Sequence, residues 1–310
     1  MKKIYYIAVV FAILFLAGCG DGIDLPGVNV ETDLNKIPLP DNNVNLEQVE
    51  LKPSTEPMLH EGLHTEEDFQ RIRDKKAAGE EPWVIAYQLL VESQFSQKTA
   101  DTYPTEWIKR GVSGDENYMN AARGATIAYQ QALRWKIEQD DEYAAKAVEN
   151  LNKWVQTCVG VTGNTNLSLA AGLYGYEFAI AGELLRDYEG WDRADFAAFQ
   201  NWLLKVFYPA NDDFLKRHHD TNALHYWANW CLCNIAAKMA IGIVTDRRDI
   251  YNEGIDHLQT GDTNGRLRRA IYHDYAPDYN FAQWQESGRD QGHTLMCVGL
   301  MGIICQLAWS

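Results

Sequence analysis

From about residue 59 onward, apolar residues recur every three or four positions in one segment after another, and alternating patterns of strand type are scarce. "DENYMNAARGATIAYQQALRWKIEQ", "DEYAAKAVENLNKWVQTCV", "LSLAAGLYGYEFAIAGELLRD", "RADFAAFQNWLLKVFYP" and the final "TLMCVGLMGIICQLAW" each read as a helix with an inward face. "HTEEDFQRIRDKKAAG" adds a start signal, Thr65 as N-cap with Asp68 three residues on, which turns Leu63, Phe69 and Ile72 inward. Short polar links such as "QDDEY" and "TDRRD" predict that consecutive helices pack as antiparallel hairpins. The fold class is therefore all-α. Periodicity alone leaves two architectures open, a repeat solenoid and a closed helical toroid.

The start of the chain has a different character. "MKKIYYIAVVFAILFLAGC" carries Lys2 and Lys3, a short apolar run, and then Leu16-Ala17-Gly18-Cys19, the layout of a secretory signal ending in a lipobox. The run is shorter than the roughly 20 apolar residues a membrane span requires. The expectation is a lipoprotein signal peptide over 1–18 and a lipid-modified Cys19, which places the mature chain outside the cytoplasm, anchored on a periplasmic or outer-membrane face. Residues 19–58 are rich in Pro, Asn, Asp and Gly without a sustained period and read as a flexible tether. Residues 59–310 then form one helical domain, long enough for a substantial core.

Ten Trp, sixteen Tyr and ten Phe suit a cleft that stacks on sugar rings, although ordinary cores use the same residues. A net charge of −15 argues against nucleic acid as a partner. An acidic substrate then requires cationic and amide groups gathered locally. Arg266, Arg268 and Arg269 form one such cluster, and a solvated helix face accounts for the same run. Beyond Cys19 the five cysteines are odd in number, and Cys231 and Cys233, two apart on a helix, point in different directions. They read as small buried residues.

Two polar patches interrupt this apolar chain. In "RHHDTNALHYWANW" a helix beginning near Thr221 puts Asn222, His225 and Asn229 at i, i+3 and i+7 on one face, with Leu224, Ala228, Cys231 and Ile235 on the core side. Burying three such groups unpaired would cost roughly 1–3 kcal/mol each, so they either pair or line a wet cavity. Adjacent residues such as "HHD" seldom converge on one metal, no comparable ligand spacing completes the set, and neither metal nor cofactor is expected. In "WQESGRDQGH" the residues Glu286, Asp290 and His293 fall at i, i+4 and i+7 if the last helix reaches back that far. That patch reads either as a ligand-holding group or as a buried network tying helices together.

The segments "HTEEDFQRIRDKKAAGEEPW", "HYWANWCLCNIAAKMAIGIVTDRRDIYNEGIDHL" and "QWQESGRDQGHTLMCVGLMGIICQLAW" together resemble the alginate lyase superfamily of polysaccharide lyases, especially its secreted and lipoprotein members. The resemblance runs from about His60 to the C-terminus. It implies an (α/α) toroid of antiparallel hairpins around a cleft for an acidic polysaccharide, and β-elimination at C4 of a uronic acid. Carried over residue by residue, it implies His225 as the catalytic histidine, Asn166 as the group that neutralises the substrate carboxylate with Asn164 close behind, and Tyr272 as the acid, chosen over Tyr275 and Tyr279. Asn166 also reads as a simple helix cap. Arg289, Arg266, Asn229, Glu286, His293, Trp227 and Gln285 make up the expected substrate-binding set. Members of the family continue past the last helix of this chain, so the resemblance also implies an incomplete toroid with an apolar face of that helix exposed. Two other classes stay open: a toroid glycoside hydrolase using Glu286 with Asp290 or Asp220, and a non-catalytic glycan-binding lipoprotein.

Overall fold

A computed structural model describes residues 62–275 and 281–310. The signal peptide, Cys19, the tether and Tyr279 lie outside the described residues. In chain order the elements are α1 (Glu66–Ala77), α2 (Trp83–Glu92), β1 (Trp107–Arg110), α3 (Tyr118–Glu138), α4 (Asp141–Thr157), β2 (Gly160–Gly163), α5 (Leu167–Leu184), α6 (Arg193–Val206), α7 (Tyr208–Arg217), α8 (Ala228–Val244), α9 (Arg248–Thr260), α10 (Leu267–Ala270), β3 (Ile271–Asp274), β4 (Ala282–Trp284) and α11 (Gln291–Trp309). The fold is all-α in class, with two small strand pairs inserted.

Helices α3, α5, α8 and α11 form an inner row in which each packs on the next. They run parallel. Tyr118 in the first turn of α3 stacks on Tyr174 of α5 at 6.4 Å, and further along both helices Thr126 reaches Glu177. Near the starts of α5 and α8, Asn234 donates to the Ser168 carbonyl, and just past their far ends Arg186 donates to the carbonyls of Ile243 and Val244. Outer helices α4, α6, α7 and α9 return antiparallel, as the short links predict. The α5–α8 interface is the most extensive between any two helices, and it is close because Gly172 faces Cys233: a Cβ on Gly172 would lie 2.5 Å from the Cys233 sulfur. That is why a small thiol stands there.

The capping box of α1 forms as its sequence predicts, with Thr65 and Asp68 bonding each other's backbone and Leu63 and Phe69 buried behind it. Other expectations need correction. The predicted helix through "VFYP" ends at Val206, and a separate helix, α7, starts at Tyr208 because Pro209, lacking an N–H, fits a first turn. Four of the five described cysteines are buried, but Cys305 is exposed on α11. On that helix Leu300, Ile304 and Leu307 face the core, whereas Leu295, Val298 and Trp309 are exposed, Trp309 by 80%. The strands have no counterpart in the sequence expectation, since such short segments cannot show alternation. β1 and β2 pair in parallel, and β3 and β4 pair antiparallel with a bulge between Ile271 and His273.

Candidate active site

The parallel inner row brings the starts of α5, α8 and α11 to one end of the molecule, where most of the singled-out residues are found. β2 delivers the chain to α5 through Gly163, Asn164, Thr165 and Asn166. Asn166 occupies the N-cap position of α5, yet its side chain caps nothing. Its backbone N–H and its Nδ2 both donate to Asn164 Oδ1, each at 2.9 Å. The carboxamide is thus oriented by a neighbouring amide, and the simple-cap reading does not describe it.

In the first turn of α5, Ser168 Oγ lies 3.0 Å from His219 Nε2. His219 sits in a turn, His218–Asp220, whose three residues all adopt positive φ, at 50°, 53° and 58°. Left-handed backbone costs a non-glycine residue roughly 1–2 kcal/mol, and such strain concentrates at functional sites. Burial pulls the His219 pKa below the ordinary histidine value, against an opposing pull from Asp213 and from a hydrogen bond to the Thr165 carbonyl. The imidazole is therefore neutral near pH 7 and able to accept a proton. Its ring packs edge-on against Tyr226 at 5.7 Å, and Tyr226 in turn packs edge-on against His225 at 4.9 Å.

His225 is not on a helix. Helix α8 begins only at Ala228, so the expected face of Asn222, His225 and Asn229 does not exist, and Leu224, expected on the core side, is 49% exposed. Residues 221–227 form a loop with its own bonds: Asn222 Oδ1 accepts from the Leu224 N–H, and Asn264 Nδ2 clamps the carbonyls of Leu224 and Tyr226. This loop leaves His225 exposed and Asn229 buried in the first turn of α8, with its Oδ1 unpartnered among the described residues.

The stretch "WQESGRDQGH" explains where α8 starts. Gln285 Oε1 accepts from the Ala228 N–H at 3.0 Å and Glu286 Oε1 from the Asn229 N–H at 2.8 Å, so the open end of α8 is capped by residues from a distant segment. Glu286 is fully buried, accepts a further bond from the Cys297 thiol, and pairs with Arg289 at 3.0 Å. It therefore does not share a helical stripe with Asp290 and His293. Asp290 is the N-cap of α11, and its carboxylate takes the His293 N–H at 2.9 Å and His293 Nδ1 at 2.6 Å. The His293 backbone bond, ahead of the imidazole's own, holds the Asp290 pKa below the usual carboxylate range. Arg289 keeps partial exposure, with its guanidinium 5.6 Å from the centroid of the Trp227 ring.

Tyr272 and Arg266 stand apart from these groups. Tyr272 is 64% exposed on β3, facing away from buried His273 as strand alternation requires. Arg266 precedes α10 and donates from Nε to the Gln259 carbonyl at 3.0 Å. No hydrogen bond or ring contact among the described residues joins either one to His225, Asn166 or Arg289. Tyr275, the alternative to Tyr272, is bonded to Gln283 Oε1 at 3.3 Å.

Two groups at this end are not found by reasoning from sequence. His219 has a signal, "HHD", that reads as a poor metal motif; the left-handed turn aiming it at Ser168 is invisible without coordinates. Arg110 has almost none, standing at the end of a strand too short to recognise, beside Gly111. This end of the molecule presents neutral imidazole, oriented carboxamides, an aromatic face and guanidinium groups. That chemistry serves proton transfer beside an anionic sugar. A search of curated proteins returns no match. A sequence model of the alginate lyase family matches residues 72–276, well over half of the chain, and the chain accordingly belongs to the alginate lyase family and is a polysaccharide lyase whose substrate class is acidic polysaccharide.

Proposed function

We propose that this lyase cleaves a uronic-acid-containing polysaccharide, of alginate or glucuronan type, by β-elimination. The proton on C5 becomes acidic enough to leave only when the adjoining carboxylate is neutralised. In this reading Asn166, oriented by Asn164, and Arg289, on Trp227, supply donors to that carboxylate, and Arg266 binds further along the chain. His225 removes the C5 proton and the C4–O4 bond breaks as the C4=C5 double bond forms. Tyr272, the acid carried over from the family resemblance, makes no hydrogen bond or ring contact with His225 among the described residues and has to meet the departing O4 when the polymer binds in order to give it its proton. Asn229, Glu286, Gln285 and His293 support the binding residues: Glu286 and Gln285 through the cap on α8, His293 through Asp290. The observation that carries the reading is the run of contacts from Ser168, in the first turn of α5 beside Asn166, through His219 and Tyr226 to His225 in the segment before α8. The hydrolase alternative loses support because Glu286 is sealed and already bonded to an N–H, a thiol and a guanidinium.

Ultraviolet absorbance of unsaturated uronate, followed on polymannuronate, polyguluronate, glucuronan and glycosaminoglycans, tests the proposal. A rise abolished by His225→Ala, with the fold intact, supports it and names the polymer. Absence of a rise on every polymer refutes it. We further propose that the chain works outside the cytoplasm, tethered by lipid on Cys19; a Cys19→Ala chain that stays membrane-bound in cells would refute the anchor.

A further inference from the structure

Arg110 closes β1, directly opposite Gly163 in the parallel pairing with β2. The pairing is tight because glycines stand where the two strands end, Gly163 on β2 and Gly111 just past β1. A Cβ on Gly163 would lie 1.8 Å from the Arg110 carbonyl oxygen, and one on Gly111 would lie 1.9 Å from Asn164 Oδ1. Backbone geometry thus sets Arg110 beside the Asn164–Asn166 amide pair.

The Arg110 guanidinium lies 4.6 Å from the Tyr118 ring centroid, and Tyr118 stacks on Tyr174 with the rings 7° from parallel. A flat cation held over a ring keeps its donor edges directed outward. Arg110 Nη1 is nevertheless buried with no hydrogen-bond partner among the described residues. This is unusual in a chain with 43 acidic residues, where Arg73, Arg134, Arg186, Arg217, Arg247 and Arg289 all form ion pairs. Leaving a buried donor unpaired is unfavourable, and more so for a charged group. A ligand that brings its own acceptor removes the penalty, and the partner that fits a guanidinium edge is a carboxylate.

We propose that Arg110, seated on Tyr118, is a subsite for a carboxylate of the bound polysaccharide. It acts in binding: its contact forms with the substrate and persists unchanged through the reaction. The inference rests on the uronate reading above, and it adds a residue that reading does not use.

The test measures binding and turnover separately. Calorimetric titration of a His225→Ala chain with mannuronate, guluronate or glucuronate hexasaccharides is compared with the same chain also carrying Arg110→Gln or Arg110→Lys. Thermal melts establish that each is folded. We expect Arg110→Gln to weaken binding about 10- to 100-fold, the usual range for a charge-assisted bond. Arg110→Lys, which keeps the charge and loses the fork, should fall between. Carboxyl-reduced hexasaccharides should bind all variants with equal weakness. In the His225 wild-type background, Arg110→Gln should raise KM and leave kcat within about threefold. Affinity unchanged by both substitutions, or a loss confined to kcat, overturns the proposal. If wild-type protein cleaves no uronate polymer but its binding depends on Arg110, the reaction assignment fails and the subsite stands. Cleavage with Arg110-independent binding upholds the reaction and overturns the subsite.

Discussion

Glu177 on α5 should make the stability of this protein fall as pH rises through neutrality, and Glu177→Gln should abolish that fall. The carboxyl is enclosed by Thr126, Tyr129 and Tyr176, and burial raises its pKa from 4.5 to about 8, slightly opposed by the Thr126 hydrogen bond. Hydrogen-bond geometry agrees. Thr126 Oγ1 lies 2.9 Å from the Ala122 carbonyl and 3.0 Å from Glu177 Oε1. A hydroxyl has one proton, so if it goes to the carbonyl, Glu177 must supply the second hydrogen and be protonated. Between the unfolded and folded pKa values the folded state holds a proton that the unfolded state lacks. Stability contributed by that proton is complete below about pH 4.5 and is lost as pH rises to about 8. At about 1.4 kcal/mol per unit the whole shift amounts to at most about 5 kcal/mol. Glu177 retains some water contact, which reduces the expected loss to about 2–3 kcal/mol, or roughly 5–10 °C in melting temperature for a domain of this size. Nearby His64, bonded to Tyr129 and lowered from 6.5 to about 4 by burial, acts in the opposite sense, adding stability as pH rises between those values; it does so in both proteins and cancels from their difference. The assay is thermal melting of wild type and Glu177→Gln from pH 5 to 9. The variant should gain on the wild type steadily across that range. Parallel curves would refute the argument.

Three further outcomes follow from the packing. Glu286→Ala uncaps α8 and removes the buried acceptor of the Asn229 N–H, so denaturant titration should show a loss of about 1–3 kcal/mol; Glu286→Gln, which keeps an acceptor for Asn229, should lose clearly less. Gly111→Ala sets a Cβ against Asn164 at a φ of +78° and should cost at least about 1 kcal/mol, with a drop in lyase rate larger than the stability loss because Asn166 is displaced as well. Equal rates for the two proteins would show that the Asn164–Asn166 pair does not matter. Brief thiol labelling of the native chain followed by peptide mapping should modify Cys305 and spare Cys158, Cys231, Cys233 and Cys297.

Much of the helical framework was legible because helix periodicity is local: a stripe of apolar residues marks its own inward face whatever it packs against. The α1 capping box and the buried thiols of α8 were readable for the same reason. The active-site end was less so. Asn222, His225 and Asn229 have helical spacing, and spacing says nothing about where a helix begins when its cap comes from elsewhere.

The sequence by itself determined the all-α class, the hairpin order and the family, since each rests on patterns carried within short segments or on motifs that match residue for residue. Only the tertiary structure decided which polar groups meet. α8 starts at Ala228 because Gln285 and Glu286, 57 residues away along the chain, satisfy its first N–H groups. Gly111, next to Arg110, meets the Asn164 side chain because two short strands pair in parallel across about fifty intervening positions of helix and turn. His219 faces Ser168 because three consecutive residues accept left-handed backbone. Each of these is a long-range match of donor to acceptor or of shape to shape, and such a match leaves no trace in local spacing.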